Sequence, residues 1–184
     1  MTPEKANAML AEAEEIVTAV EVNLAVRRMA AEIRAGLKDK HPLLLSVMGG
    51  AVVITGQILP LLHFPLEFDT IHATRYGGAT QGGELIWKLM PRENVAGRTV
   101  LILDDILDAG ETLAAIRDMV VKLGAKEVYS AVFADKNIGR PKPIKADFVG
   151  VTLPDRFVFG FGMDVDGAWR NLPSIYALKD NRKC

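Results

Sequence analysis

One cysteine in 184 residues, and that one the last, leaves no disulfide framework to read. No excess of positive charge is present either: 22 Lys and Arg stand against 23 Asp and Glu, a net charge of −1. Nonspecific nucleic-acid binding needs a basic surface and is disfavoured; a small anion held in one local site is not. Apolar runs such as Val100–Leu103 are far too short to cross a bilayer. The N-terminus leads into an acidic helix rather than a basic segment followed by an apolar stretch, so no export signal is expected and the setting reads as cytoplasmic. His41, His63 and His72 have no metal-ligand spacing, no Cys/His cluster exists, and no Ser-His-Asp arrangement can be defended. Internal repeats, low-complexity tracts and long linkers are also missing. What is there is 49% apolar and 24% charged, enough to fill one core.

Thr2-Pro3 has the chemistry of a helix start, and Thr18 with Glu21 has capping-box spacing. Behind Thr18, Val22, Val26, Met29, Ile33 and Leu37 recur at helical spacing and mark one buried face. From His41 onward short apolar runs alternate with helices. Leu43–Val47 reads as a buried strand, followed by Met48-Gly49-Gly50 and an apolar helix to about Leu62. Leu66–Ala73 reads as a strand, Glu84–Leu89 as another and Val100–Leu103 as a third. Glu111–Leu123 is an amphipathic helix closed by Gly124, and Val128–Ala134 is a further buried strand. Beyond Asp135 the chain reads as irregular and basic from Lys136 to Lys145, with short strands at Phe157–Phe161 and Ile175–Leu178. Alternating strands and helices predict an α/β fold: a mainly parallel central sheet flanked by helices, with the N- and C-terminal segments packed together as a small hood. We expect one domain over 1–184, its hood roughly 1–40 and 150–184 and its core roughly 41–149.

The chemistry concentrates in Thr99–Thr112, TVLILDDILDAGET. An apolar strand delivers Asp104 and Asp105 to its carboxyl end, a short turn adds Asp108, and Gly110, Glu111 and Thr112 open a helix. Ligands of open α/β sheets bind outside the carboxyl ends of the strands. A glycine-led helix start offers backbone N–H groups and a positive dipole end to a phosphate. Paired carboxylates beside it suit sugar hydroxyls or a hydrated Mg²⁺. An acidic, well-capped helix start would account for Asp108 alone. It does not account for two carboxylates directly after four apolar residues. The pattern is neither a Walker A loop nor a dinucleotide GxGxxG.

LILDDILDAGETL resembles the phosphoribosyl pyrophosphate (PRPP) signature of the type I phosphoribosyltransferases. SVMGGAVVITGQIL resembles that family's pyrophosphate loop and the helix after it, and HATRYGGATQGGEL its flexible catalytic loop. ADKNIGR and ADFVGVTLPDRFVFGFGMDVDGAWRNLP resemble the purine-binding half of the hypoxanthine-guanine phosphoribosyltransferases, with HATRY and FGFGMD nearest to the short bacterial members. The resemblance implies transfer of phosphoribose from PRPP to hypoxanthine or guanine in purine salvage, with Mg²⁺, in a homodimer or homotetramer.

It also implies roles. Asp104 and Asp105 would hold the ribose 2′ and 3′ hydroxyls, and Asp108 would exchange the proton at purine N7. Asp108, Ala109, Gly110, Glu111 and Thr112 would cradle the 5′-phosphate. Gly49, Gly50, Arg75, Tyr76 and Arg170 would meet pyrophosphate. Lys136 would donate to the purine O6, Phe157 would stack on the base, and Val158 and Asp164 would contact it by their backbones. Asp164, Asp104 and Asp105 would hold Mg²⁺, partly through water. Taken without the family, Lys136 reads as a surface cation, Phe157 as a core aromatic, and Asp164 and Arg170 as a surface ion pair. The Arg75–Gly83 segment, rich in glycine and polar residues, reads as a lid that excludes water, or as a plain hairpin connection.

The chain departs from the family pattern in places. Met48 stands where a lysine is common, Ala109 where threonine is, and Arg75 where serine is frequent. Gly50 is expected to allow a tight backbone conformation there. Two alternatives stay open: an enzyme preferring xanthine, and a regulator on the same fold that binds PRPP or a nucleotide. Balanced charge and the lack of room for an added DNA-binding module within 184 residues favour the enzyme.

Overall fold

The computed structural model describes residues 1–75 and 85–179. Tyr76, most of the expected lid and Cys184 lie outside the described residues. The order of elements is α1 (Pro3–Glu12), β1 (Glu14–Val17), α2 (Ala19–Leu37), β2 (Leu43–Val47), α3 (Val52–Ile58), a 3-10 turn (Leu59–Leu61), β3 (Glu67–Arg75) and β4 (Leu85–Leu89). Then come β5 (Thr99–Leu107), α4 (Glu111–Lys122), β6 (Glu127–Asn137), β7 (Phe148–Pro154), β8 (Val158–Phe159) and β9 (Ile175–Ala177).

A six-stranded sheet runs β4-β3-β2-β5-β6-β7, parallel except for β4 at one edge. Its central strands are apolar on both sides, and alternation divides them between two cores. Leu44, Leu101, Leu103 and Phe133 face α2 and α3. Leu43, Leu45, Val100, Ile102 and Val132 face α4. Helices on both faces are what a parallel sheet requires. The expected mainly parallel α/β architecture is present.

The capping box at Thr18 is formed in both directions: Glu21 N–H donates to Thr18 Oγ1, and Glu21 Oε2 accepts from Thr18 N–H. Val22, Val26, Met29, Ile33 and Leu37 are buried, as their spacing predicts. Thr18→Ala is expected to cost about 1 kcal/mol, read as a lower Tm by circular dichroism; an unchanged Tm would show that the box contributes nothing. From the same helix Arg28 donates to the carbonyls of Val149 and Gly150, fastening the edge strand β7.

A second sheet, antiparallel and ordered β1-β9-β8, joins the two ends of the chain. Its own small core holds Phe159, Val165 and Leu178, with Met9 and Leu10 of α1 packed against it. Trp169 Nε1 donates to the Ala6 carbonyl at 2.8 Å, tying α1 to the C-terminal segment. This is the hood.

Some elements differ from the sequence expectation. β1 and β7 are strands where none is predicted. The apolar helix stops at Ile58, and Pro60 accompanies a 3-10 turn rather than further α-helix. β5 and β6 run several residues past their apolar centres, to Leu107 and Asn137, and stay paired as far as Leu107 and Asp135.

Candidate active site

β5 turns polar at Asp104 and Asp105 before closing on Ile106 and the buried Leu107. Asp104 is buried, with Oδ1 accepting from Asp105 N–H at 2.9 Å. Asp105 Oδ1 accepts from Ile106 N–H at 2.8 Å. Burial pushes the Asp104 carboxyl well above the usual carboxylate range, and the neighbouring Asp105 charge adds to the push. Burial also raises Asp105, against the pull of the Ile106 N–H and the Arg170 guanidinium. Two such carboxylates side by side are a receptor for hydroxyl donors or a cation.

After Leu107 the chain turns through Asp108 and Ala109 to Gly110, at φ 84°, which begins α4 without a side chain to cap it. The positive φ explains the glycine here. Parallel to β5, β6 delivers Lys136, whose side chain is only 4% exposed. Its Nζ donates to Asp108 Oδ2 at 2.8 Å. The two residues, 28 apart in sequence, form one donor–acceptor pair at the carboxyl ends of adjacent strands.

The Met48-Gly49-Gly50 loop closes on the same place. The Met48–Gly49 peptide is cis. A Cβ built on Gly50 would lie 1.8 Å from Asp105 Oδ2, and one on Gly162 would lie 2.2 Å from the Gly50 carbonyl oxygen. Loop, carboxylate and hood backbone are therefore in direct contact. Gly50 has no positive φ; it is needed for space rather than for the conformational freedom that the sequence suggests.

In the hood, Arg170 Nη2 lies 2.5 Å from Asp164 Oδ1, and its Nη1 donates to the Gly162 carbonyl at 2.7 Å. Asp164 Oδ2 also accepts from Gly167 N–H. Val158 is buried and registered with Ala177 in the hood sheet. Phe157 is half-buried, packed against the hood core. Arg75 is the last residue of β3, paired with Leu85 across the sheet.

The structure thus brings Asp108 and Lys136 together, Asp105 and Gly50 together, and Asp164 and Arg170 together. Two contacts were not anticipated. Gly162 is signalled only by the alternating glycines of FGFG. Lys142, lost in a basic, proline-bracketed stretch, has its Nζ 2.6 Å from Asp135 Oδ1 and 2.7 Å from the Leu107 carbonyl.

Among the described residues no group of three or more His, Cys, Asp or Glu side chains could enclose a metal ion, and no helix is long and apolar enough to cross a membrane. Residues 12–166 match the phosphoribosyl transferase domain. The chain is 34% identical over 165 residues to the hypoxanthine-guanine phosphoribosyltransferase of Bacillus subtilis (strain 168), covering 89% of this chain and 92% of that one. Among solved structures, a hypoxanthine phosphoribosyltransferase from Staphylococcus aureus superposes with a TM-score of 0.87 at 25% identity, covering 94% of this chain and 95% of that one. A hypoxanthine-guanine-xanthine phosphoribosyltransferase superposes with a TM-score of 0.82 at 28% identity, over 91% and 97% of the two chains. Paired carboxylates near the end of β5, a glycine-led helix start beside them and a matching domain over most of the length lead to one conclusion: the chain belongs to the phosphoribosyl transferase family.

Proposed function

We propose that the chain transfers the 5-phosphoribosyl group from PRPP to hypoxanthine or guanine, giving IMP or GMP and pyrophosphate, as a cytoplasmic enzyme of purine salvage. The observation that carries the reading is the Lys136–Asp108 pair. A 6-oxopurine presents O6 and N7 side by side on one edge. An ammonium and a carboxylate 2.8 Å apart match that edge, the ammonium donating to O6 and the carboxylate meeting N7–H. Adenine would turn an amino group toward the ammonium, donor against donor.

In this reading Asp108 carries the N7 proton, and Asp104 and Asp105 accept from the ribose 2′ and 3′ hydroxyls as positive charge builds at C1. Backbone N–H groups over Asp108, Ala109, Gly110, Glu111 and Thr112, with the Thr112 hydroxyl, hold the 5′-phosphate. Gly49, Gly50, Arg75, Tyr76 and Arg170 receive pyrophosphate. Phe157 stacks on the base, and Val158 and Asp164 line its edge. The paired carboxylates, Asp104 buried and Asp105 partly so, suit a divalent cation, and the described residues alone offer too few ligands to enclose one, so Mg²⁺ would be shared with phosphate oxygens and water. Asp104, Asp105 and Asp164 would hold it. When bound, Mg²⁺ would neutralise charge on the departing pyrophosphate. Assembly as a homodimer or homotetramer is part of the same proposal.

A base panel with saturating PRPP and Mg²⁺ tests it. Hypoxanthine and guanine are expected to give nucleotides, and adenine to be poorer by about 10²-fold or more, the scale of a donor left facing a donor. If neither hypoxanthine nor guanine gives a nucleotide, the assignment is wrong. Turnover of xanthine alone would favour the second reading, supported by the similarity to a hypoxanthine-guanine-xanthine enzyme.

A further inference from the structure

Lys142 stands between Pro141 and Pro143 in a stretch without regular structure, where a lysine ordinarily reaches into water. Here its side chain is 11% exposed. The ammonium donates to Asp135 Oδ1 at 2.6 Å and to the Leu107 carbonyl oxygen at 2.7 Å. Arg140 and Lys145, in the same stretch, are exposed. A buried lysine needs acceptors, and this one takes them from two different strands.

The two acceptors are not arbitrary. Leu107 is the last residue of β5 and immediately precedes Asp108; Asp135 immediately precedes Lys136 on β6. Leu107 and Asp135 are register partners in the parallel ladder. Alternation along the strands sends residues 107 and 135 to one side, with 108 and 136 following on the other. On one side the strand ends are joined by the Asp108–Lys136 bond, and on the other by Lys142. The stem of Lys142 also backs the phosphate loop, since its Cβ lies 3.4 Å from the position a Cβ on Gly110 would take.

We propose that Lys142 is a positioning residue. Through the Leu107 carbonyl and Asp135 it holds Asp108 and Lys136 at the spacing that the O6–N7 edge of the purine requires. The proposal rests on the roles given above to Asp108 and Lys136. It predicts a particular pattern of loss. PRPP touches the phosphate loop mainly through backbone groups, whereas base binding and proton transfer depend on where the two side chains stand.

The test is steady-state kinetics on wild type, Lys142→Met, Lys142→Arg and Asp135→Asn. Lys142→Met keeps the length of the side chain and removes the ammonium. It is expected to lower kcat about tenfold or more and raise KM for hypoxanthine several-fold, with KM for PRPP changed by less than about twofold, as small displacements of reacting groups produce such losses. Lys142→Arg, which restores a charged donor, is expected to recover most of kcat. Asp135→Asn keeps the Leu107 bond and is expected to show the same split with a smaller loss, about threefold; it carries the test if Lys142→Met does not fold. In an Asp108→Asn background, Lys142→Met is expected to lower kcat by clearly less than it does in wild type, because one of the two residues it positions is already disabled. Unchanged kcat and hypoxanthine KM in Lys142→Met overturn the proposal. So does a fall in kcat with both KM values intact, a lower Tm and no rescue by Arg, which is the pattern of a smaller folded fraction. A wild-type enzyme that forms no nucleotide would instead overturn the assignment of the reaction, and this proposal with it.

Discussion

Asp108→Asn is expected to cut turnover by about 10²–10⁴-fold, the range for loss of a general acid or base, while PRPP affinity changes only a few-fold. Asparagine preserves the shape of the side chain and still offers an oxygen to the Lys136 ammonium, which stands 2.8 Å from Asp108 Oδ2. What it removes is a site for the N7 proton. The sugar phosphate would remain held by backbone groups around Gly110 and by the carboxylates of Asp104 and Asp105, none of which the substitution touches. The measurement pairs kcat for hypoxanthine with a direct PRPP titration of the variant. Lys136 is buried, so the loss of its anionic partner also has a folding cost, and a thermal melt should accompany the kinetics. An unaffected rate would remove Asp108 from the proton-transfer role. Equal losses in turnover and PRPP binding would place it in the phosphate cradle alone.

The middle of the sheet was legible in the sequence because burial on both faces leaves a plain mark. Leu43–Val47, apolar but for Ser46, and Val100–Leu103 are short apolar runs, and both lie in strands. The capping box was legible for a different reason: Thr18 and Glu21 satisfy each other locally, three residues apart. β1 was not. Its four residues, EEIV, have no alternation to read, and only pairing with β9 at the far end of the chain makes them a strand. β7 contains a glycine and ends in a proline, and as an edge strand it is only half buried. The candidate site divides in the same way. Asp104 and Asp105 announce themselves because carboxylates directly after an apolar run are expensive unless something uses them. The Lys136–Asp108 bond and the Lys142 clamp are products of strand register, which no spacing within either segment reveals. Lys142 in particular has the composition of a solvated loop, and only its two acceptors on neighbouring strands, the Asp135 carboxylate and the Leu107 carbonyl, make it otherwise.

Gly50→Ala is expected to disable PRPP use, and here space rather than chemistry is the cause. The added Cβ would stand 1.8 Å from Asp105 Oδ2, 2.3 Å from Cγ and 2.8 Å from Oδ1, so the whole carboxylate is in its way. Asp105 is a short side chain whose Oδ1 already accepts from Ile106 N–H, and turning it aside breaks that bond. The loop cannot retreat instead. The Gly50 carbonyl is already pressed by the hood at Gly162, where a Cβ would lie 2.2 Å from the oxygen. Gly162 in turn accepts from Arg170 Nη1, so pushing the loop outward displaces the arginine proposed for pyrophosphate. One methyl group therefore disturbs Asp105, the Gly49-Gly50 loop and the hood together. Overpacking of this kind costs about 1–3 kcal/mol of stability, and misplacement of the groups that bind PRPP is expected to lower kcat/KM for PRPP by about 10²-fold or more. Gly56→Ala is the control for glycine replacement as such. It lies on the exposed side of α3 with nothing within 4 Å of the new Cβ, and should leave PRPP kinetics unchanged. In a helix interior it should add stability of about 0.5–1 kcal/mol. If Gly50→Ala and Gly56→Ala have the same KM for PRPP, the contact between Gly50 and Asp105 has no part in holding the sugar phosphate.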